Sequence, residues 1–114
     1  MANQVIHAEV LGRDGAALQR FFADVFGWNV DANNPGGYGM TSHEETGIVV
    51  GIGPTQDGGA GHVTFYVRVP DIDATLEKAT KLGGRVIMPK FNPSPDATLA
   101  LVADPEGHII GLSE

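Results

Sequence analysis

Three residues of this chain are best suited to chemistry: His7, Glu9 and His62. Imidazole titrates close to neutral pH, so it can exchange a proton with a ligand, hydrogen-bond it, or ligate a metal as the neutral base. His7 and Glu9 are two positions apart in an extended run, which puts both on one face of a strand. Sharing a face permits an acid–base pairing of His7 with Glu9. The sequence has no cysteine, which excludes disulfides, thiolate nucleophiles and thiolate metal sites together.

A repeat connects His62 to His7. HAEVLGR begins at His7 and HVTFYVR begins at His62. Each is followed by an Asp and then by an apolar-periodic segment that ends at a glycine. Asp14 to Gly27 has the same spacing as Asp71 to Gly84. A duplication of this kind sets the architecture and puts the two histidines at equivalent positions.

The elements that must carry these residues follow from local pattern. Val5 to Gly12 reads as a strand. Asp14 is suited to cap a helix, and Leu18, Phe21, Phe22 and Val25 then line one helical face. Gly27 suits the left-handed residue that ends it. Trp28 to Asp31, Tyr38 to Ser42 and Gly47 to Ile52 read as strands, with a turn at Asn33 to Gly37 and a connection around His43 to Glu45. In the second copy, His62 to Val69 reads as a strand. Asp71 caps a helix whose apolar face is Ile72, Leu76, Ala79 and Leu82. Strands are expected at Arg85 to Met88, Ala97 to Ala103 and His108 to Leu112, with loops at Asn92 to Asp96 and Asp104 to Gly107. Each half is therefore β-α-β-β-β.

Alternation assigns faces to the strands. Val63, Phe65 and Val67 share one side, and the pattern expects that side beneath a helix. His62, Thr64 and Tyr66 share the other side, where mixed polar and large groups suit a ligand cavity. Thr64 and Tyr66 are thus candidate ligand contacts. Trp28 and Tyr38 are further candidates as wall aromatics, the alternative for Trp28 being packing against the helix it follows. His43 stands in a polar turn, and His108 follows a tight one.

The chain has 114 residues, 42% of them hydrophobic, which suits one globular domain. Its formal net charge is -7, and its seven Lys and Arg are scattered. Nucleic acid is therefore not an expected partner, because phosphate contacts need clustered cations. No apolar run is long enough to span a bilayer. MANQVIHAEV lacks the basic-then-apolar pattern of a secretory leader, so a cytoplasmic protein is expected. GPTQDGGAG, between the copies, is a linker and not a phosphate loop, since no Lys-Ser/Thr follows it.

The doubled module, the histidine opening each first strand, FFADVFGW at the end of the first helix and ADPEGHIIGL near the end of the chain together resemble the vicinal oxygen chelate superfamily. That group includes glyoxalase I, extradiol dioxygenases, fosfomycin-resistance enzymes and bleomycin-binding proteins. The resemblance covers nearly the whole chain. It implies an α+β fold of two βαβββ modules, about residues 4–53 and about residues 61–114 of one domain. The modules would form an open, cup-shaped, curved mixed sheet with helices outside. It also implies a homodimer, in keeping with the cover that exposed strand edges need.

Metal-dependent relatives hold a divalent ion with one histidine per module and carboxylates from later strands. His7 and His62 match the histidines. The carboxylates do not carry over: the last-strand position falls at Gly111, and its first-module counterpart lies around Val49 to Gly51. A catalytic metal site usually needs about three protein ligands. The expectation is therefore a small-molecule-binding protein of the glyoxalase/bleomycin-resistance type with an incomplete metal site, using His7, Glu9 and His62 on a ligand. One alternative is a lyase, isomerase or dioxygenase with Zn, Ni, Mn or Fe at His7 and His62. The other is a non-catalytic drug-sequestering resistance protein.

Overall fold

Caps and alternation produce the β-α-β-β-β order of the second half and, apart from the Trp28 to Asp31 strand and a short added helix, that of the first. A computed structural model describes residues 2–114. Strand β1 (Val5–Gly12) leads into helix α1 (Gly15–Phe26). A 3-10 turn at Pro35–Gly37, strand β2 (Gly39–Met40), short helix α2 (His43–Thr46) and strand β3 (Val49–Pro54) follow. The second half consists of β4 (His62–Arg68), α3 (Ile72–Lys81), β5 (Arg85–Ser94), β6 (Ala97–Ala103) and β7 (Ile109–Ser113). The Asp14 carboxylate accepts from the Ala17 amide at 3.0 Å, and Asp71 accepts from Ala74 at 3.1 Å. Gly27 ends α1 in the left-handed region, at φ 72°.

The chain divides into two compact units, His7–Val63 and Thr64–Glu114 joined by the start of the chain through Ile6. In the His7–Val63 unit, β1 runs parallel to β3, with His7 opposite Val49, Glu9 opposite Gly51 and Leu11 opposite Gly53. β2 pairs antiparallel with β3, and α1 packs against β3. Ile52, on β3, is fully buried. Removing a side chain of that size from water stabilises by about 1.5–3 kcal/mol.

In the other unit, β4 runs parallel to β7, with Tyr66 opposite Gly111. β7 pairs antiparallel with β6, and β6 with β5. Val69, Ile72, Leu76, Ala100, Val102 and Leu112 form the core there. Each unit thus pairs the strand before its long helix in parallel with its last strand.

Local details differ from the sequence pattern. Trp28 to Asp31 forms no strand; it contributes a single bridge, Asp31 to Met40. The connection at His43 is helical because Ser42 caps it, accepting from the Glu45 amide. β5 continues through Asn92 to Ser94, with register shifts that absorb the two prolines there. The larger correction concerns β4. Val63 is 79% exposed and Phe65 42%, while Thr64 and Tyr66 are buried. Only Val67 of the expected apolar set packs on the core. Helix α3 packs against β5 and β6. Alternation fixes which residues share a face; it does not fix which face a helix covers.

Candidate functional site

The site grows from β1, where His7 and Glu9 lie on one face and Glu9 is buried. Opposite Glu9 the partner strand offers Gly51, and opposite Leu11 it offers Gly53. Two glycines alternating on a strand leave a trough on one face. The Tyr38 side chain fills it. A Cβ built on Gly51 would lie 1.6 Å from the Tyr38 hydroxyl and 2.7 Å from His7 Nε2. One built on Gly53 would lie 3.0 Å from the Tyr38 ring.

Polar side chains hold the Tyr38 backbone in place. The Asn34 amide donates to the carbonyls of Asp31 and Tyr38, both at 2.9 Å. Gln19, from α1, donates to the Gly37 carbonyl at 2.8 Å and the Ile52 carbonyl at 2.7 Å. The turn before Tyr38 is thereby tied to the helix and to β3 at once.

These placements create a chain of hydrogen bonds. His7 Nε2 lies 2.8 Å from the Tyr38 hydroxyl. That hydroxyl donates to Glu9 Oε2 at 2.8 Å. His62 Nε2 lies 2.9 Å from the other carboxylate oxygen, Glu9 Oε1. The His7 and Tyr38 rings are nearly parallel, 12° apart, with centroids at 6.3 Å. Glu9 thus connects the two histidines, contacting His62 directly and His7 through the Tyr38 hydroxyl. Burial holds the His7 imidazole below its ordinary range, and the Glu9 charge opposes that shift. His7 is therefore a neutral imidazole at neutral pH, able to accept a proton or ligate.

The other sequence candidates have separate roles. The Thr64 hydroxyl donates to the Ile109 carbonyl on β7. Tyr66 is buried opposite Gly111, and a Cβ on Gly111 would lie 2.4 Å from its ring. Trp28 stacks on Phe22 and Phe26, with centroids at 5.9 and 5.1 Å, so it packs on the helix it follows. His43 is exposed. His108 closes the Asp104 turn, its Nδ1 lying 2.9 Å from the Asp104 carboxylate. Sequence reasoning proposed Tyr38 as a wall aromatic and did not see its hydroxyl as the bridge. It also missed Gln19, Asn34 and Gly53. The readable signal was VVGIG, a strand whose glycines fall on one face.

Two parallel strand pairs, each beginning near a histidine and each in a unit with one long helix, fit the vicinal oxygen chelate class. The chain belongs to the glyoxalase-like domain family, whose model matches residues 8–112. A Mycobacterium bovis protein given the provisional name glyoxylase CFP32 is 32% identical over 106 residues. That match takes in 87% of this chain, which spans 41% of the relative's length. A Vibrio splendidus member of the glyoxalase/bleomycin resistance protein/dioxygenase superfamily aligns with a TM-score of 0.66 at 21% identity, over 98% of both chains. Methylmalonyl-CoA epimerase from Mycobacterium tuberculosis aligns with a TM-score of 0.65 at 15% identity, over 96% of this chain and 86% of that one. These structural likenesses establish the fold.

The metal implied by the wider group does not fit the residues present. Its carboxylate positions are glycines, and the space beside each is filled. A side chain grown from Gly111 runs into the Tyr66 ring, and one grown from Gly51 into the Tyr38 hydroxyl. The strand register makes Gly53, opposite Leu11, the counterpart of Gly111, opposite Tyr66, and Gly53 faces the Tyr38 ring. Among the described residues, no three of His, Cys, Asp and Glu are grouped to hold an ion. Two imidazoles and one carboxylate already bonded to each other are a proton-handling set.

Proposed function

We propose that this chain binds a small organic molecule at His7, Glu9, Tyr38 and His62, without a metal, as a glyoxalase/bleomycin-resistance type protein. The observation that carries the reading is the buried Glu9 carboxylate, bonded to His62 and, through Tyr38, to His7. Burying a carboxylate is costly, and a fold keeps one where it is hydrogen-bonded and useful. A neutral imidazole can accept a proton from a bound ligand, so the same set supports a proton-transfer step.

Metal analysis and a fragment screen test this together. After dialysis the purified protein is expected to hold Zn, Ni, Mn and Fe well below one per chain. Fragments that bind are expected to shift the His7 and His62 ring signals in NMR, equally with and without a chelator. A stoichiometric metal lost on His62→Ala overturns the metal-free reading. Binders that leave both rings unmoved overturn the placement.

We also propose that the chain works as a homodimer. Val63 and Phe65, exposed on one face of β4, support this, since neighbouring apolar side chains left in water mark a surface that a second copy can cover. Light scattering is expected to give twice the 12.0 kDa chain mass, and a mass of one chain at micromolar concentration overturns it. No helix among the described residues is long and apolar enough to cross a membrane.

A further inference from the structure

We infer that Tyr38 is a positioning residue that fixes His7 as the tautomer protonated on Nε2, making Nδ1 its basic nitrogen. The inference deepens the proposed binding function by naming the atom of His7 that accepts a proton. Its test needs no ligand, so its failure leaves the binding reading to stand or fall separately.

The argument is a count of hydrogens. An ionised carboxylate has no hydrogen and only accepts. Glu9 has the Tyr38 hydroxyl at 2.8 Å on Oε2 and His62 Nε2 at 2.9 Å on Oε1. Both neighbours must therefore donate. A tyrosine hydroxyl has one hydrogen, and Tyr38 gives its own to Glu9. Its oxygen can then only accept from His7 Nε2, which lies 2.8 Å away. His7 Nε2 must carry the hydrogen. A neutral imidazole has one N–H, so the lone pair of His7 is on Nδ1. Turning the Tyr38 hydrogen toward His7 instead would leave two oxygens 2.8 Å apart with no hydrogen between them.

The trough in β3 makes this assignment firm. The Tyr38 hydroxyl reaches both Glu9 and His7 only because Gly51 has no side chain: a Cβ there would overlap the hydroxyl and crowd His7 Nε2. Gln19 and Asn34 hold the backbone that aims the ring. The same count fixes His62 as an Nε2–H tautomer through direct contact with Glu9. The two histidines thus share a tautomer but differ in how they obtain it, and only one depends on Tyr38.

Long-range proton–nitrogen NMR of the labelled full chain, above the histidine titration range, reads which ring nitrogen carries hydrogen. Both His7 and His62 are expected as single Nε2–H tautomers. In Tyr38→Phe, the His7 ring nitrogen shifts are expected to move while His62 keeps Nε2–H, its unchanged signal reporting an intact site. An Nδ1–H tautomer at His7 in the unaltered chain overturns the inference. Identical His7 nitrogen shifts in Tyr38→Phe do so as well. Should Tyr38→Phe unfold, Glu9→Gln decides. An amide offers one donor and one acceptor to two groups that both donate, so one histidine must change tautomer. A folded Glu9→Gln with neither changed overturns the count.

Discussion

Gly111→Ala will destabilise the chain by about 3 kcal/mol in denaturant unfolding, at the upper end of overpacking costs. The added methyl would lie 2.4 to 2.6 Å from Cδ2, Cε2 and Cγ of Tyr66. Cγ is the root of the ring, so flipping the ring about its own axis does not clear the clash. Tyr66 is 7% exposed, so the surrounding structure opposes a new rotamer. Gly51→Ala is the informative contrast. Its closest contact is the Tyr38 hydroxyl at the far end of the side chain, which can swing away. The cost there is the hydroxyl's hydrogen bonds, about 1–3 kcal/mol, and the histidine signals should move with it. In a Tyr66→Ala background the Gly111→Ala cost should fall below about 1 kcal/mol, because the clashing ring is gone. Gly111→Glu, the substitution that would restore a metal-type carboxylate, should unfold the chain rather than gain an ion. A Gly111→Ala protein as stable as its parent would show that the Tyr66 ring does not occupy this space.

How far the sequence carried depended on the range of the interaction. Helix starts were legible because capping is local: Asp14 and Asp71 each bond an amide three residues on. That the two halves are built alike was legible in the repeat, while which strands pair in parallel was not, because pairing joins segments distant in sequence. Trp28 to Asp31 misled because its apolar–polar alternation suits a strand, yet Trp28 stacks on Phe22 and Phe26 across the turn. The covered face of β4 was illegible for a different reason. Periodicity has no information about where α3 will lie, and α3 lies over β5 and β6.

The site divides in the same manner. His7, Glu9 and His62 were visible as residue types at equivalent or same-face positions, and the structure brings all three together. Tyr38 was named for its ring, but its contribution comes through its hydroxyl. That role depends on a thirty-one-residue separation from His7 and on two glycines of another strand. No local pattern encodes such a contact. The glycines at the carboxylate positions were read as something missing. In the folded chain they are the condition for something present, since each admits a tyrosine where a carboxylate would otherwise stand.

Glu9→Gln will cost about 1–3 kcal/mol and will make stability more sensitive to acid. The cost arises because both neighbours of Glu9 donate to it, and an amide nitrogen cannot accept. The acid sensitivity comes from His7. Burial holds its folded-state pKa below the ordinary 6.5, with the Glu9 charge pulling the other way. As pH falls through 6.5 the unfolded chain binds a proton at His7 and the folded chain does not. Stability from this group is therefore full above that value and is lost as pH falls toward the folded pKa. The slope is at most one proton's worth, about 1.4 kcal/mol per pH unit. Removing the Glu9 charge takes away an influence that raises His7, so its folded pKa drops further and the losing window extends to lower pH. Unfolding free energies measured from about pH 7.5 to about pH 5 should fall more in Glu9→Gln than in the parent, and the excess should vanish in Glu9→Gln/His7→Gln. An equal acid slope in Glu9→Gln and the parent would mean that His7 does not sense the Glu9 charge, and the coupling across Tyr38 would have to be abandoned.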